Sequence, residues 1–118
     1  MQIPVSKEDY LKLSKAIDEH SEKLMSLKGE EYSLDNDFLA MENMLAGMVN
    51  GEPEKVSLVL AGKHITSLAV ILKKCKAEDI NLAKLDERVR DGCNLLKIMA
   101  AFIHAKQKDF SLHLSEIK

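Results

Sequence analysis

The sequence predicts an all-α, four-helix bundle-like single domain that ends in a short tail or terminal helix. Three observations point there. Apolar residues make up 46% of the 118 positions and recur at three- and four-residue steps through most of the chain, the period of a helix with one buried face. The breaks in that pattern, at Gly29, at Asn50-Gly51-Glu52-Pro53 and over the polar stretch 76–81, carry helix-stop and helix-start residues. The aromatics are three Phe and two Tyr, with no Trp, so Leu, Met, Ala and Ile must fill the interior, as is common between packed helices. The length fits one domain, and a chain of this size can bury a core without metals or disulfides.

The first helix is expected over about 6–28. Ser6 can cap it, with Asp9 three residues on in a capping-box-like pattern. Tyr10, Leu13, Ile17, Leu24 and Leu27 form its apolar stripe, and His20 falls in the same series as a packed, hydrogen-bonded side chain. Gly29 is the stop signal. A second helix is expected over about 37–50, with Asp35 or Asp37 as N-cap and a stripe of Phe38, Met41, Leu45 and Met48. Pro53 suits the first turn of a third helix, about 53–76. This helix is apolar on two sides. Val56, Val59, Leu60, Val70 and Ile71 line one, and Leu58, Ala61, Ile65, Leu68 and Leu72 line the other. Lys55, Thr66 and Lys73 are left as the exposed strip, which suits a helix central to a bundle or set between a bundle and a second subunit. The fourth helix starts between Asp79 and Asn81 and runs over about 80–106, with Leu85, Val89, Leu96 and Ile103 as its main stripe. The tail, 107–118, alternates weakly.

The net charge is −2, with basic and acidic residues interleaved, so nucleic-acid binding by charge alone is not expected. Cys75 and Cys93 form no ligand pair and no disulfide framework, which predicts two buried thiols in a reducing compartment. The N-terminus lacks an apolar signal core, and no run reads as long enough to span a bilayer. A cytoplasmic protein with no membrane partner is the expectation.

Chemistry is sought where charge conflicts with burial. On a wheel of about 100° per residue, Asp91 lies about 40° from Glu87, and Asn94 about 20° to the other side. Ile98 and Phe102 continue this line. The natural outside of the helix is the strip of Arg90, Lys97 and His104. Glu87, Asp91 and Asn94 are therefore expected to face inward or into a cleft. There, carboxylates need a cation, a metal ion or donors. Two carboxylates and an amide at this spacing can present oxygens to a hard cation such as Mg²⁺, while an ion pair with Arg88, Arg90 or a Lys from another helix is the commoner arrangement, because Glu and Asp four apart on a helix are common. Lys63 is a similar case. It stands in line with Val56, Val59, Ser67 and Val70, and an inward Lys needs an anionic partner. Gly62 before it would allow another backbone to approach. Lys28-Gly29-Glu30-Glu31-Tyr32, read as a loop, offers Tyr32 to stack on a ring and Glu30 or Glu31 to hold metal. The hydroxyls and the four histidines show no nucleophile spacing.

Lys-x-x-acid-Tyr after a first helix, an inward Lys in a middle helix, and acid-x-x-x-Asp-x-x-Asn in the last helix resemble a phage-associated, MazG-like group among the all-α nucleoside triphosphate pyrophosphatases. The matching residues are Lys28, Glu31, Tyr32, Lys63, Glu87, Asp91 and Asn94, spread over about 28–103. The resemblance implies a helical bundle, dimeric or tetrameric, that uses Mg²⁺ held by helix carboxylates to hydrolyse a nucleotide between its α- and β-phosphates. In those terms Glu31, Glu87 and Asp91 hold the metal, and Glu87 and Asp91 are catalytic. Lys28 and Lys63 bind phosphate, and Tyr32 and Asn94 contact base or sugar. The last-helix pair here is Glu-x-x-x-Asp where better-known members carry Glu-x-x-Asp, and Leu95 replaces an aromatic. A degenerate relative that binds a nucleotide without cleaving it fits the same residues.

Two functional expectations follow. One is a Mg²⁺-dependent nucleotide pyrophosphohydrolase-like protein, for which Glu87, Asp91 and Lys63 should converge in an open cleft. The other is a non-enzymatic helical assembly protein of phage type. In that case the three residues should form closed ion pairs or lie apart, and the two-sided third helix should be a subunit interface.

Overall fold

A computed structural model describes residues 2–32 and 37–114. Of these, 79% are helical, in a four-helix, bundle-like arrangement. The helices are α1 (Lys7–Tyr32), α2 (Ala40–Met48), α3 (Pro53–Lys74) and α4 (Leu82–Gln107), with one 3₁₀ turn, Ala77–Asp79, between the last two. The expected all-α class and the order of four helices are what is observed.

Local chemistry explains most boundaries. The Asp9 amide donates to Ser6 Oγ at 3.0 Å, so the expected cap of α1 forms, and the Lys84 amide donates to the Asn81 side chain at 3.1 Å, which caps α4 within the start expected for it. Pro53 occupies the first turn of α3, where its missing N–H costs nothing. Asp37 accepts from the Leu39 amide and from Asn43 Nδ2, two residues before the observed N-cap of α2, Leu39; Asp35 lies outside the described residues. Asn50, with φ of 54°, takes the left-handed conformation that closes α2, and the Gly51 amide donates back to the Ala46 carbonyl. Lys108 closes α4 in the same way, with φ of 56°. Beyond it the tail turns on Asp109, whose carboxylate accepts from Ser111 and contacts His113.

One boundary differs. Helix α1 runs through Gly29 to Tyr32, so the expected loop 28–32 is its last turn. An interior Gly costs only about 1 kcal/mol relative to Ala, too little to stop a helix that gains contacts on both sides.

The best-packed unit is the antiparallel hairpin of α3 and α4, with α1 laid on α4 and α2 on α3. The buried apolar residues are Ala40, Ala46, Ala61, Ile98 and Phe102. On α4 the core line is thus Asn94–Ile98–Phe102, the continuation of the acidic line, as expected. The expected main stripe is not the core: Leu96 and Ile103 are exposed, and Leu85 and Val89 half-buried. On α1, Ser21 is buried, Ile17 and Leu24 are half-buried, and Tyr10, Leu13 and Leu27 are exposed. Both cysteines are free and exposed, not the buried thiols expected. By length and composition alone α3 is apolar enough to cross a membrane, contrary to the sequence reading; its most apolar window reaches a mean hydropathy of 1.5, and 11% of that window is buried in the chain.

A charged clasp joins the start of α3 to the end of α4. Lys106 Nζ lies 2.5 Å from Glu54 Oε1 and 3.4 Å from Glu52 Oε2. Glu54 is buried, and its other carboxylate oxygen has no partner among the described residues. A hydrogen bond with Glu54, then the charges of Lys55 and Lys106, hold the Glu52 carboxyl below its ordinary 4.5. The hydrogen bond to Glu54 holds Lys106 above its ordinary 10.5. A lowered carboxyl contributes stability above its unfolded value and loses it as pH falls through the folded one; a raised ammonium loses its share only as pH climbs past the folded value. The clasp is therefore expected to be insensitive to pH near neutrality and to weaken in acid below 4.5. Thermal scans across that range should show a smaller acid decline for Lys106→Met than for the wild type. Parallel declines would mean that the clasp contributes nothing and that acid acts elsewhere, for example at Asp109, which is lowered by its own bonds to Ser111.

Candidate functional site

Helices α1 and α4 run in the same direction, and their seam collects the polar residues that do not belong in a core. Near its start a groove of about 340 Å³ is lined by Leu13, Ala16, Ile17 and His20 from α1 and by Ala83, Asp86, Glu87 and Arg90 from α4. Further along, Met25 faces a second hollow with Asn94, Lys97, Ile98 and Ala101, closed by Phe38 and Leu39. The residue steps rise together on the two helices, which defines the parallel arrangement.

Arg90 is the organising cation of the first groove. Its Nε and one terminal nitrogen donate to Asp91 Oδ1 at 2.9 and 2.8 Å. Its other terminal nitrogen lies 3.4 Å from His20 Nδ1, so it donates there when that nitrogen is unprotonated. The Asp86 and Glu87 side chains form no ion pair or hydrogen bond among the described residues, and both residues line the groove, Asp86 half-buried and Glu87 exposed. Asn94 is buried, and its amide likewise makes no hydrogen bond among the described residues. The Asn94 side chain lines that hollow, where its amide offers two donors and an acceptor to anything that enters.

The residues expected to form one site are only partly gathered. Glu87, Asp91 and Asn94 share the α1–α4 side of α4. Glu31 does not join them. It lies fourteen positions past Ile17, the α1 residue level with Glu87, which is roughly 21 Å along a helix at 1.5 Å per residue. Lys28 is exposed on the same distal stretch of α1. The Tyr32 side chain lies outside the described residues. Lys63 is exposed on the outer line of α3 beside Val59 and Val70, which are exposed with it. The inward reading of Lys63 is thereby corrected: its apolar neighbours in line also face outward. His64 is the residue that faces α4, and a Cβ placed on Gly92 would meet it at 3.8 Å. Gly62 has open space beside it, not an approaching backbone.

No group of three or more His, Cys, Asp or Glu able to hold a metal ion occurs among the described residues. Glu31 stands apart from Glu87 and Asp91 along α1, and the Asp91 carboxylate is paired with Arg90. Sequence reasoning missed Arg90, His20 and Asp86 as members of the groove. Its helical wheel position puts Arg90 on the strip with Lys97 and His104, of which Lys97 is exposed and His104 half-buried. Only the docking of α1 across it turns that position inward. No protein family, curated protein or solved structure matches this chain, so the site is read from its own residues.

Proposed function

We propose that the chain is a Mg²⁺-dependent nucleotide pyrophosphohydrolase-like protein that takes a nucleoside triphosphate to its monophosphate and pyrophosphate. The observation that supports this best is the polar seam of α1 and α4, where two unpaired carboxylates, a held guanidinium and an unbonded buried amide follow one another along α4. In this reading the base or sugar edge meets Asn94, and the phosphates lie toward Arg90. A carboxylate of the Asp86–Glu87 pair accepts a proton from the attacking water. The water oxygen bonds to the α-phosphorus, and pyrophosphate departs with the bridging oxygen. Mg²⁺ arrives on the triphosphate; such an ion keeps several waters and takes one or two carboxylates beside phosphate oxygens, so no preformed cage is required of the chain. Lys28, Lys63 and Glu31 stand outside this seam and are not needed by the reading. The setting is cytoplasmic and reducing, where Cys75 and Cys93 stay thiols.

A second reading, a helical assembly protein without catalysis, is favoured by one observation: of the twenty-three large hydrophobic residues exposed among the described residues, sixteen lie on the helices.

The deciding experiment incubates the protein with a panel of ribo- and deoxyribonucleoside triphosphates and Mg²⁺ and measures pyrophosphate. Release with at least one of them is expected, along with a thermal shift that needs both nucleotide and Mg²⁺. No release with any base and no such shift would sink the enzymatic reading and leave the second.

A further inference from the structure

All three phenylalanines of the chain, Phe38, Phe102 and Phe110, line one hollow at the end of α4. They arrive from three separate places: Phe38 stands just before α2, Phe102 on α4 and Phe110 in the tail beyond it. Phe102 is buried, while Phe38 and Phe110 are 47% and 74% exposed, so one ring belongs to the core and two still meet solvent. Phe110 is held in place. The left-handed Lys108 turns the chain, and the Phe110 ring stacks on His104 with centroids 6.3 Å apart. The volume of the hollow is about 580 Å³, within the range of pockets that hold small organic ligands, about 300–1000 Å³.

The polar groups of the hollow are few and already arranged. Asp37 Oδ1 accepts from the Leu39 amide at 3.1 Å, and its Oδ2 accepts from Asn43 Nδ2 at 2.9 Å. These bonds fix the carboxylate and leave the Asn43 carbonyl oxygen as an acceptor. Lys106 is the only cation among the described lining residues. Its charge is already met by two carboxylates, Glu54 at 2.5 Å and Glu52 at 3.4 Å. Glu54 stands directly beside this lining, since it follows Pro53 in the chain and holds Lys106. Its side chain is only 10% exposed, and its second oxygen lacks a partner among the described residues. With Lys55 on Glu52, three carboxylates stand against two ammonium groups around the hollow. A ligand carboxylate or phosphate would find Lys106 occupied and Asp37 opposed to it. A ligand cation would find acceptors and the electron-rich faces of aromatic rings.

We propose that this hollow binds a small organic cation, a planar aromatic body that carries a protonated amine. The ligand ring packs against Phe38, Phe102 and Phe110, offset-stacked or edge to face. Its ammonium group donates to the Asp37 carboxylate and to the Asn43 carbonyl oxygen. The hollow shares no residue with the Arg90 groove, and the inference does not rest on the nucleotide reading.

A matched set of probes tests it: naphthylmethylamine, cationic at neutral pH, the uncharged naphthylmethanol and the anionic naphthoate. Each is titrated into the full chain and followed by calorimetry. The amine should bind saturably and about tenfold more tightly than the alcohol, and the naphthoate more weakly than either. Asp37→Asn should remove the advantage of the amine and leave the affinity of the alcohol unchanged, a split that a merely structural role would not produce. Phe110→Ala, at an exposed position, should weaken amine and alcohol alike by about fivefold. Should either variant fail to fold, the wild type decides by NMR: Overhauser contacts from the naphthalene protons should reach the rings of Phe38, Phe102 and Phe110. Absence of saturable amine binding overturns the proposal. So does a naphthoate bound as tightly as the amine, an amine advantage kept in folded Asp37→Asn, or contacts that fall on other residues.

Discussion

Replacing Phe102 with Ala is expected to cost about 3–5 kcal/mol of unfolding free energy, the range for deleting a buried aromatic ring. The reason is how little else fills the interior. Among the described residues, three of the five buried apolar ones are Ala40, Ala46 and Ala61, which leaves Ile98 and Phe102 as the large ones there. Phe102 also borders the hollow formed with Pro53, Ala105, Lys106 and Phe110, so its removal enlarges an existing space and the surroundings gain little by collapsing. Domains are stable by only about 5–15 kcal/mol in total, so this one change should consume much of the margin. Urea titration at fixed protein concentration, followed by circular dichroism, measures it. A midpoint unchanged from the wild type would mean that the ring is not part of the folding core.

Asp91→Asn should lower the proposed pyrophosphate release by about 10²-fold, through lost positioning of Arg90, and leave the fold in place. The two effects separate because of where the residue sits. Its carboxylate is the partner that holds Arg90 in the groove, at 2.8 Å and with a side chain 26% exposed. A partly exposed pair of this kind contributes about 0–1 kcal/mol to stability. An amide keeps the shape but weakens the grip on the guanidinium, so Arg90 loses its set position toward the phosphates. Glu87→Gln should lower release without moving Arg90. Activity surviving in both variants would remove the seam from the proposed function.

Much of the fold was legible because helix punctuation is local chemistry. Ser6, Pro53 and Asn81 each satisfy or avoid an orphan amide within four residues, and no distant contact is needed to see it. Gly29 misled because its cost is small beside what a long helix gains. Burial was harder to read. Periodicity says which residues share a line, not which line meets a neighbour, and here two apolar lines on α4 competed. The line through Ile98 and Phe102 won because α1 and α3 both close on it, while the line through Leu96 was left open. For the site, the inward direction of Asn94 and Asp91 followed from their buried continuation. The parallel course of α1 beside α4 could not be read, and with it went His20 and Arg90. Lys63 failed for a related reason: its apolar companions in line, Val59 and Val70, are themselves exposed.

The hairpin that holds the best packing joins the last two helices, across the short turn Ala77–Asp79. Synthesis delivers α1 and α2 first, yet α2 meets only the start of α3, and α1 has no surface to settle on until α4 is made. On the ribosome the chain should therefore stay without fixed tertiary contacts until Gln107 has cleared the exit tunnel, and then condense from its late end toward its early one. Pulse hydrogen exchange during refolding would show the same order, with amides of α3 and α4 protected before those of α1. Protection of α1 first would reverse it.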